Sequence, residues 1–243
     1  MCKHWKVCTF SLILILTVGR PFAFHAQTPV DVTAQFRNAP TQPSKAAKRP
    51  SNTPPAAIWL TPLAPTKSAP PATTGNYTLL QKDKQFSPHV LVVPVGAVVH
   101  FPNADPFFHN VFSRFDGRRF DLGLYEAGSS REVTFSREGI SYIFCDIHPE
   151  MSAVVIAVTT PYFGVAEPHG HVRIAGVPPD DYVLHVWVQG QDHTVLNGLE
   201  RRVHISPNHT DLGDIVLPPA PSPSVAHENK YGKDYDTRAT PVY

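Results

Sequence analysis

Beyond its first eight residues the chain has one cysteine, Cys145, and besides Met1 it has one methionine, Met151. Because Cys2 and Cys8 lie in an N-terminal leader, Cys145 has no partner for an internal disulfide, and a cysteine-stapled fold is excluded. An excess of charge is also lacking: 21 Lys and Arg face 20 Asp and Glu, for a formal net charge of +1. Nucleic-acid binding needs a strong basic excess, so that class of partner is excluded as well. The run Phe10–Val18, apolar except for Ser11 and Thr17, is too short for a stable membrane span. No stretch of the folded part shows helical periodicity over a useful length, which leaves an all-β chain as the expectation.

The leader itself is informative. Lys3 and Lys6 precede the apolar run, and Ala26 or Ala23 offers a cleavage point, so residues 1–26 read as a secretory signal and the protein as secreted or periplasmic. The 26 prolines crowd into 40–71 and 218–223, which read as extended linkers. Residues 27–74 therefore form a Pro-rich N-terminal segment. Residues 218–243 lack apolar periodicity and read as a disordered tail.

Between these limits the chain is a series of short β-branched and aromatic runs separated by Gly, Pro, Asn and Asp. Residues 75–160 form one unit. Val133 and Phe135 alternate with polar neighbours, as a half-buried sandwich strand requires. Ser141–Cys145 is apolar on both faces: Ile143 and Cys145 point one way, Tyr142 and Phe144 the other, so the outer face needs a cover. Residues 161–217 form a second β unit, which serves as that cover. At roughly 55 residues the unit is marginal alone, and the runs 30–36 and 56–63 are suited to donate strands to it. Their use makes the first unit an insertion within the second.

The chemistry concentrates in "FCDIHPEM", residues 144–151, where Cys145, His148 and Met151 fall within seven residues. A copper site, a catalytic thiol and coincidence are the candidate explanations. An electron-transfer copper site wants two imidazoles and a thiolate near one plane with a weak axial thioether, a mixture that suits both Cu(I) and Cu(II). Cys145, His148 and Met151 supply three of these. His109, which follows a Pro-and-Asp turn, is preferred as the second imidazole over His89, at a strand start, and His100, inside an apolar run. Asn110 is placed to tie the two ligand loops together and to donate its backbone N–H to the Cys145 sulfur.

At this point the chain resembles the cupredoxins, amicyanin- and plastocyanin-like members in particular, through "HNV" at 109–111 and "VTFSREGISYIFCDIHPEM" at 133–151. The resemblance implies a Greek-key β-sandwich, one type 1 blue copper centre and one-electron transfer. It also implies an apolar patch around His148, for which Pro106, Phe107, Phe108, Ile147 and Pro149 are placed, with Asp105, Asp146 and Glu150 nearby. That surface suits a redox partner with a basic rim, such as a c-type cytochrome or a dehydrogenase. The second unit resembles carboxypeptidase regulatory-like, transthyretin-related modules through "GHVRIAGVPPDDYVLHVW", which implies a noncatalytic accessory β-sandwich.

Other functions fit less well. A copper carrier or storage protein, the main alternative, uses several Met and His residues on open segments, whereas beyond its leader this chain has Met151 as its one methionine. A copper oxidase or reductase needs a His-Cys-His, and Cys145 is flanked by Phe144 and Asp146. "HGH" at 169–171 reads as a turn and strand start. An adhesion module with a decayed site conflicts with the intact ligand set. The expectation is an electron-transfer metalloprotein, not an enzyme.

Overall fold

A computed structural model describes residues 28–39, 53–64, 75–114, 117–218 and 229–233. The expected leader lies outside these residues, as do much of the Pro-rich N-terminal segment and most of the tail. The chain opens with β1 (Val30–Asn38) and β2 (Ala56–Pro62). There follow β3 (Tyr77–Thr78), β4 (Leu80–Lys82), β5 (Gln85–Ser87), β6 (Val90–Pro94), β7 (Val98–Pro102), β8 (His109–Ser113), β9 (Phe120–Tyr125), β10 (Ser130–Thr134), β11 (Gly139–Phe144) and β12 (Ser152–Val158). The last elements are β13 (Phe163–Val165), β14 (His171–Val177), β15 (Asp180–Val188), α1 (His193–Leu199), β16 (Arg201–Ile205) and β17 (Asp211–Leu217). The fold is all-β, a Greek-key sandwich joined to a smaller one. The short helix α1 was not expected; Asp192 caps it by accepting from the Val195 N–H at 2.9 Å.

In the first sandwich a five-stranded sheet, β6-β12-β11-β8-β9, faces a three-stranded one, β10-β7-β3, with the hairpin β4-β5 beside them. Val99, Phe101, Val133, Phe135, Ile143 and Val155 are among the residues that fill the core between them. The second sandwich pairs the sheets β14-β1-β17 and β13-β2-β15-β16. Thus β1 and β2, from the Pro-rich N-terminal segment, hold interior positions in both sheets. Val32, Ala34 and Phe36 of β1 and Ile58 and Leu60 of β2 are buried in its core.

The two sandwiches share a wall. β12 reads SAVVIAV and is buried at every position after the first. Ala153, Val155 and Ala157 face the first core, while Val154, Ile156 and Val158 join the second. Burial on both faces explains why this strand is a continuous apolar run with no alternation. Each of the three residues facing the second core contributes about 1.5–3 kcal/mol as an upper estimate. Tyr142 packs against that core, as its outward position on β11 requires. Phe144 differs: it lies opposite Phe112 on β8 and packs on that ring, with centroids 5.8 Å apart.

Candidate metal centre

β8 begins at His109, and antiparallel β11 ends just before Cys145, so both residues emerge at the same end of the five-stranded sheet. The loop 145–151 then folds back on itself. The Cys145 N–H donates to the Met151 carbonyl at 3.3 Å, and the Met151 N–H donates to the His148 carbonyl at 3.0 Å. This closure brings His109, Cys145 and His148 together, their ligating atoms within 4.8 Å of one another. The Cys145 sulfur lies 3.6 Å from His109 Nδ1 and 3.7 Å from His148 Nδ1. All three are buried, and Met151, 1 % exposed, is buried in the same core cluster as Cys145.

The backbone N–H groups of Asn110, Ile147 and His148 point at the Cys145 sulfur. Burial nevertheless pushes the thiol above its ordinary value, outweighing those three donors, and the Asp146 charge adds to the push. The metal-free site therefore holds a thiol at neutral pH, and a cation must displace its proton. Burial, then the neighbouring His109 and Lys84, holds the His148 imidazole below its ordinary value and keeps it neutral. Two imidazole nitrogens and a sulfur that binds as thiolate are a soft-to-borderline donor set, which fits copper.

His109 is fixed from behind by Asp105. Its Nε2–H donates to Asp105 Oδ2 at 2.8 Å, which leaves Nδ1 to face the sulfur. The backbone N–H groups of Asp83 and Lys84 donate to the two Asp105 oxygens at 2.7 and 3.0 Å. Both residues have positive φ, +54° and +55°, so the β4–β5 turn aims both amides at the carboxylate. Burial alone would raise the Asp105 carboxyl, but the hydrogen bonds from His109, Lys84 and Asp83 hold it below the usual carboxylate range. Asn103 secures the loop, accepting from the Asp105 N–H at 3.0 Å and donating to the Phe107 carbonyl at 2.8 Å.

Several sequence expectations change here. Asp105 was expected among surface charges; it is 5 % exposed and engaged by His109. The one signal for that role was its position four residues before His109. The backbone N–H of Asn110 points at the sulfur, while its side chain donates to Asp121 Oδ1 on β9 at 2.7 Å and does not tie the two ligand loops together. His148, around which the resemblance implies an apolar patch, is itself 3 % exposed. Phe107 is half-buried and packs near both imidazoles, 5.3 Å from His109 and 5.5 Å from His148 between centroids. Pro106, Phe108 and Pro149 are exposed around the site. His89 bonds Ser152 and Gln189, and His100 faces Glu132, so neither joins the cluster.

No protein-family model matches the chain, and no curated protein does. Among solved structures it is similar to a purple cupredoxin from Nitrosopumilus maritimus, at 24 % identity and a TM-score of 0.31, over 34 % of this chain and 100 % of that one. It is similar to a copper-containing nitrite reductase from Thermus scotoductus at 22 % identity and a TM-score of 0.34, over 51 % of this chain and 28 % of that one. A reduced Cu(I) form of an amicyanin mutant matches at 20 % identity and a TM-score of 0.33, over 42 % of this chain and 98 % of that one. None of these names the second sandwich as a known module.

Proposed function

We propose that this protein is an exported type 1 blue copper protein that passes single electrons between redox partners, and that it is not an enzyme. His109, Cys145 and His148 would hold the metal, with Met151 as a weak fourth donor. The observation that carries this is the buried His-Cys-His cluster, with its ligating atoms within 4.8 Å of one another. Among the described residues it is the one such group. Bound copper supplies a one-electron Cu(II)/Cu(I) couple. The chain holds the donors in place in both states: Asp105 keeps His109 oriented, and three backbone N–H groups face the sulfur. A fixed donor set keeps the reorganisation between the two states small.

Residues 75–160 form the redox unit, inserted into a scaffold made of 161–217 with β1 and β2. Electrons leave on the side of His148, where Phe107, Phe108 and Pro149 present an apolar face to a c-type cytochrome or a dehydrogenase. Brief docking on such a face suits a secreted or periplasmic carrier. Voltammetry of the copper-loaded chain tests this. A reversible one-electron wave, with oxidation by a c-type cytochrome, is expected. A protein that holds Cu(I) but shows no reversible wave contradicts electron transfer and fits a copper carrier.

A further inference from the structure

The segment 229–233 lies within the stretch read from sequence as a disordered tail, yet it is seated beside the ligand loops. Asn229 builds a tight turn: its N–H donates to the Lys233 carbonyl at 2.8 Å, and its side-chain oxygen accepts from the N–H groups of Tyr231 and Lys233 at 2.9 and 3.2 Å. Arg114 donates to the Asn229 carbonyl at 3.0 Å and anchors the turn to the residue after β8. Lys230 then bridges the ligand loop and β9, the strand paired with the His109-bearing β8. Its N–H donates to Asp146 Oδ1 at 2.9 Å, and its ammonium lies 3.1 Å from Asp121 Oδ2 and 4.0 Å from Asp146 Oδ2.

Asp146 is the chain neighbour of Cys145, and Asp121 reaches the neighbour of His109 through one hydrogen bond. Asp146 follows Cys145 and precedes Ile147, whose N–H faces the sulfur. Asp121 accepts from the Asn110 side chain, next to His109. We infer that Lys230 is a positioning residue for the centre: by clamping Asp121 and Asp146 it holds the His109 and Cys145–His148 segments together and neutralises their flanking charge. Its side chain is 21 % exposed, more enclosed than a free surface lysine. The clamp rests on the proposed copper site for its redox effect, but its hold on Cys145 needs no metal.

The test uses the full chain in two states. In the metal-free protein, Lys230→Ala is expected to speed amide hydrogen exchange in the loop 145–151 about two- to fivefold, the scale of one partly exposed ion pair lost. In the copper-loaded protein, unneutralised carboxylates favour Cu(II), so the Cu(II)/Cu(I) ratio at fixed potential rises about two- to tenfold. Lys230→Arg restores wild-type behaviour in both. Lys233→Ala, which removes the same charge from a residue that meets the turn through its backbone, leaves both unchanged. A change with Lys230→Ala in either readout, absent with Lys233→Ala, supports the clamp. Lys230→Ala that matches wild type in both, or Lys233→Ala that shifts them equally, overturns it. Failure of the wild-type chain to take up copper would sink the proposed function, and the exchange rates of the metal-free chain would still decide the clamp.

Discussion

The two sandwiches are built from similar strands but differ in what they bury. Every buried polar side chain among the described residues except Thr160 lies between Gln81 and His148, in the first sandwich. The second has a core of Val, Ile, Leu, Ala, Phe, Tyr and Trp, with Phe36, Tyr182 and Trp187 its largest fully buried members. Buried polar groups cost stability unless they are hydrogen-bonded. The first sandwich carries that cost at one end, where Asp105 and His109 bond each other and Asn110 bonds Asp121, and the apolar second sandwich offsets it by covering β12 and Tyr142. The buried polar groups gather in one unit, and the other is built on apolar packing.

Mutations that damage one unit and spare the other can break this contrast. Cys145→Ser is expected to abolish the blue absorption of the copper-loaded chain, because the colour requires a thiolate-to-copper transition, while far-ultraviolet circular dichroism stays that of a folded β protein. A retained blue band would reject Cys145 as the ligand. Phe36→Ala in the second core is expected to do the reverse, costing about 3–5 kcal/mol in urea unfolding with an unchanged visible spectrum. Loss of the colour in the folded variant would show that the sandwiches do not divide their roles.

A carboxylate held below its ordinary pKa sharpens the contrast through pH. The stability that Asp105 contributes is fully present above the unfolded carboxyl value of about 3.9 and is lost as pH falls through its lower folded value. Asp105→Asn is expected to cost about 1–2 kcal/mol near pH 6. That difference should shrink toward pH 3, measured by urea unfolding of the metal-free chain. A difference that stays constant down to pH 3 would mean that the carboxylate is not engaged. The mildest change is Met151→Leu, which keeps volume and should alter stability by less than about 1.5 kcal/mol. It should retain copper and shift the reduction potential; complete loss of copper would contradict a weak axial role.

Much of this arrangement is legible in the chain because local spacing causes it. Cys145, His148 and Met151 lie on one short loop, so their proximity follows from sequence distance alone. The two-sided apolarity of Ser141–Cys145 calls for a covering unit, and the short 161–217 stretch calls for borrowed strands. What sequence hides depends on long-range placement. Asp105 looks like an ordinary turn carboxylate until the β4–β5 turn, some twenty residues earlier, aims two amides at it. Phe144 looks like a surface ring awaiting cover until the β8 register sets Phe112 against it. Lys230 looks like one tail charge among several, because its partners Asp121 and Asp146 are about a hundred residues away.

The most direct measurement is titration of the purified, metal-free full chain with Cu(II), followed by visible absorption and electron paramagnetic resonance. Saturation at one copper per chain is expected, with an intense blue band and a small copper hyperfine splitting, the signature of a short thiolate bond in a trigonal His₂Cys site. A pale product with a large hyperfine splitting, or copper bound equally well by Cys145→Ser, would contradict the assignment of His109, Cys145 and His148 as the centre.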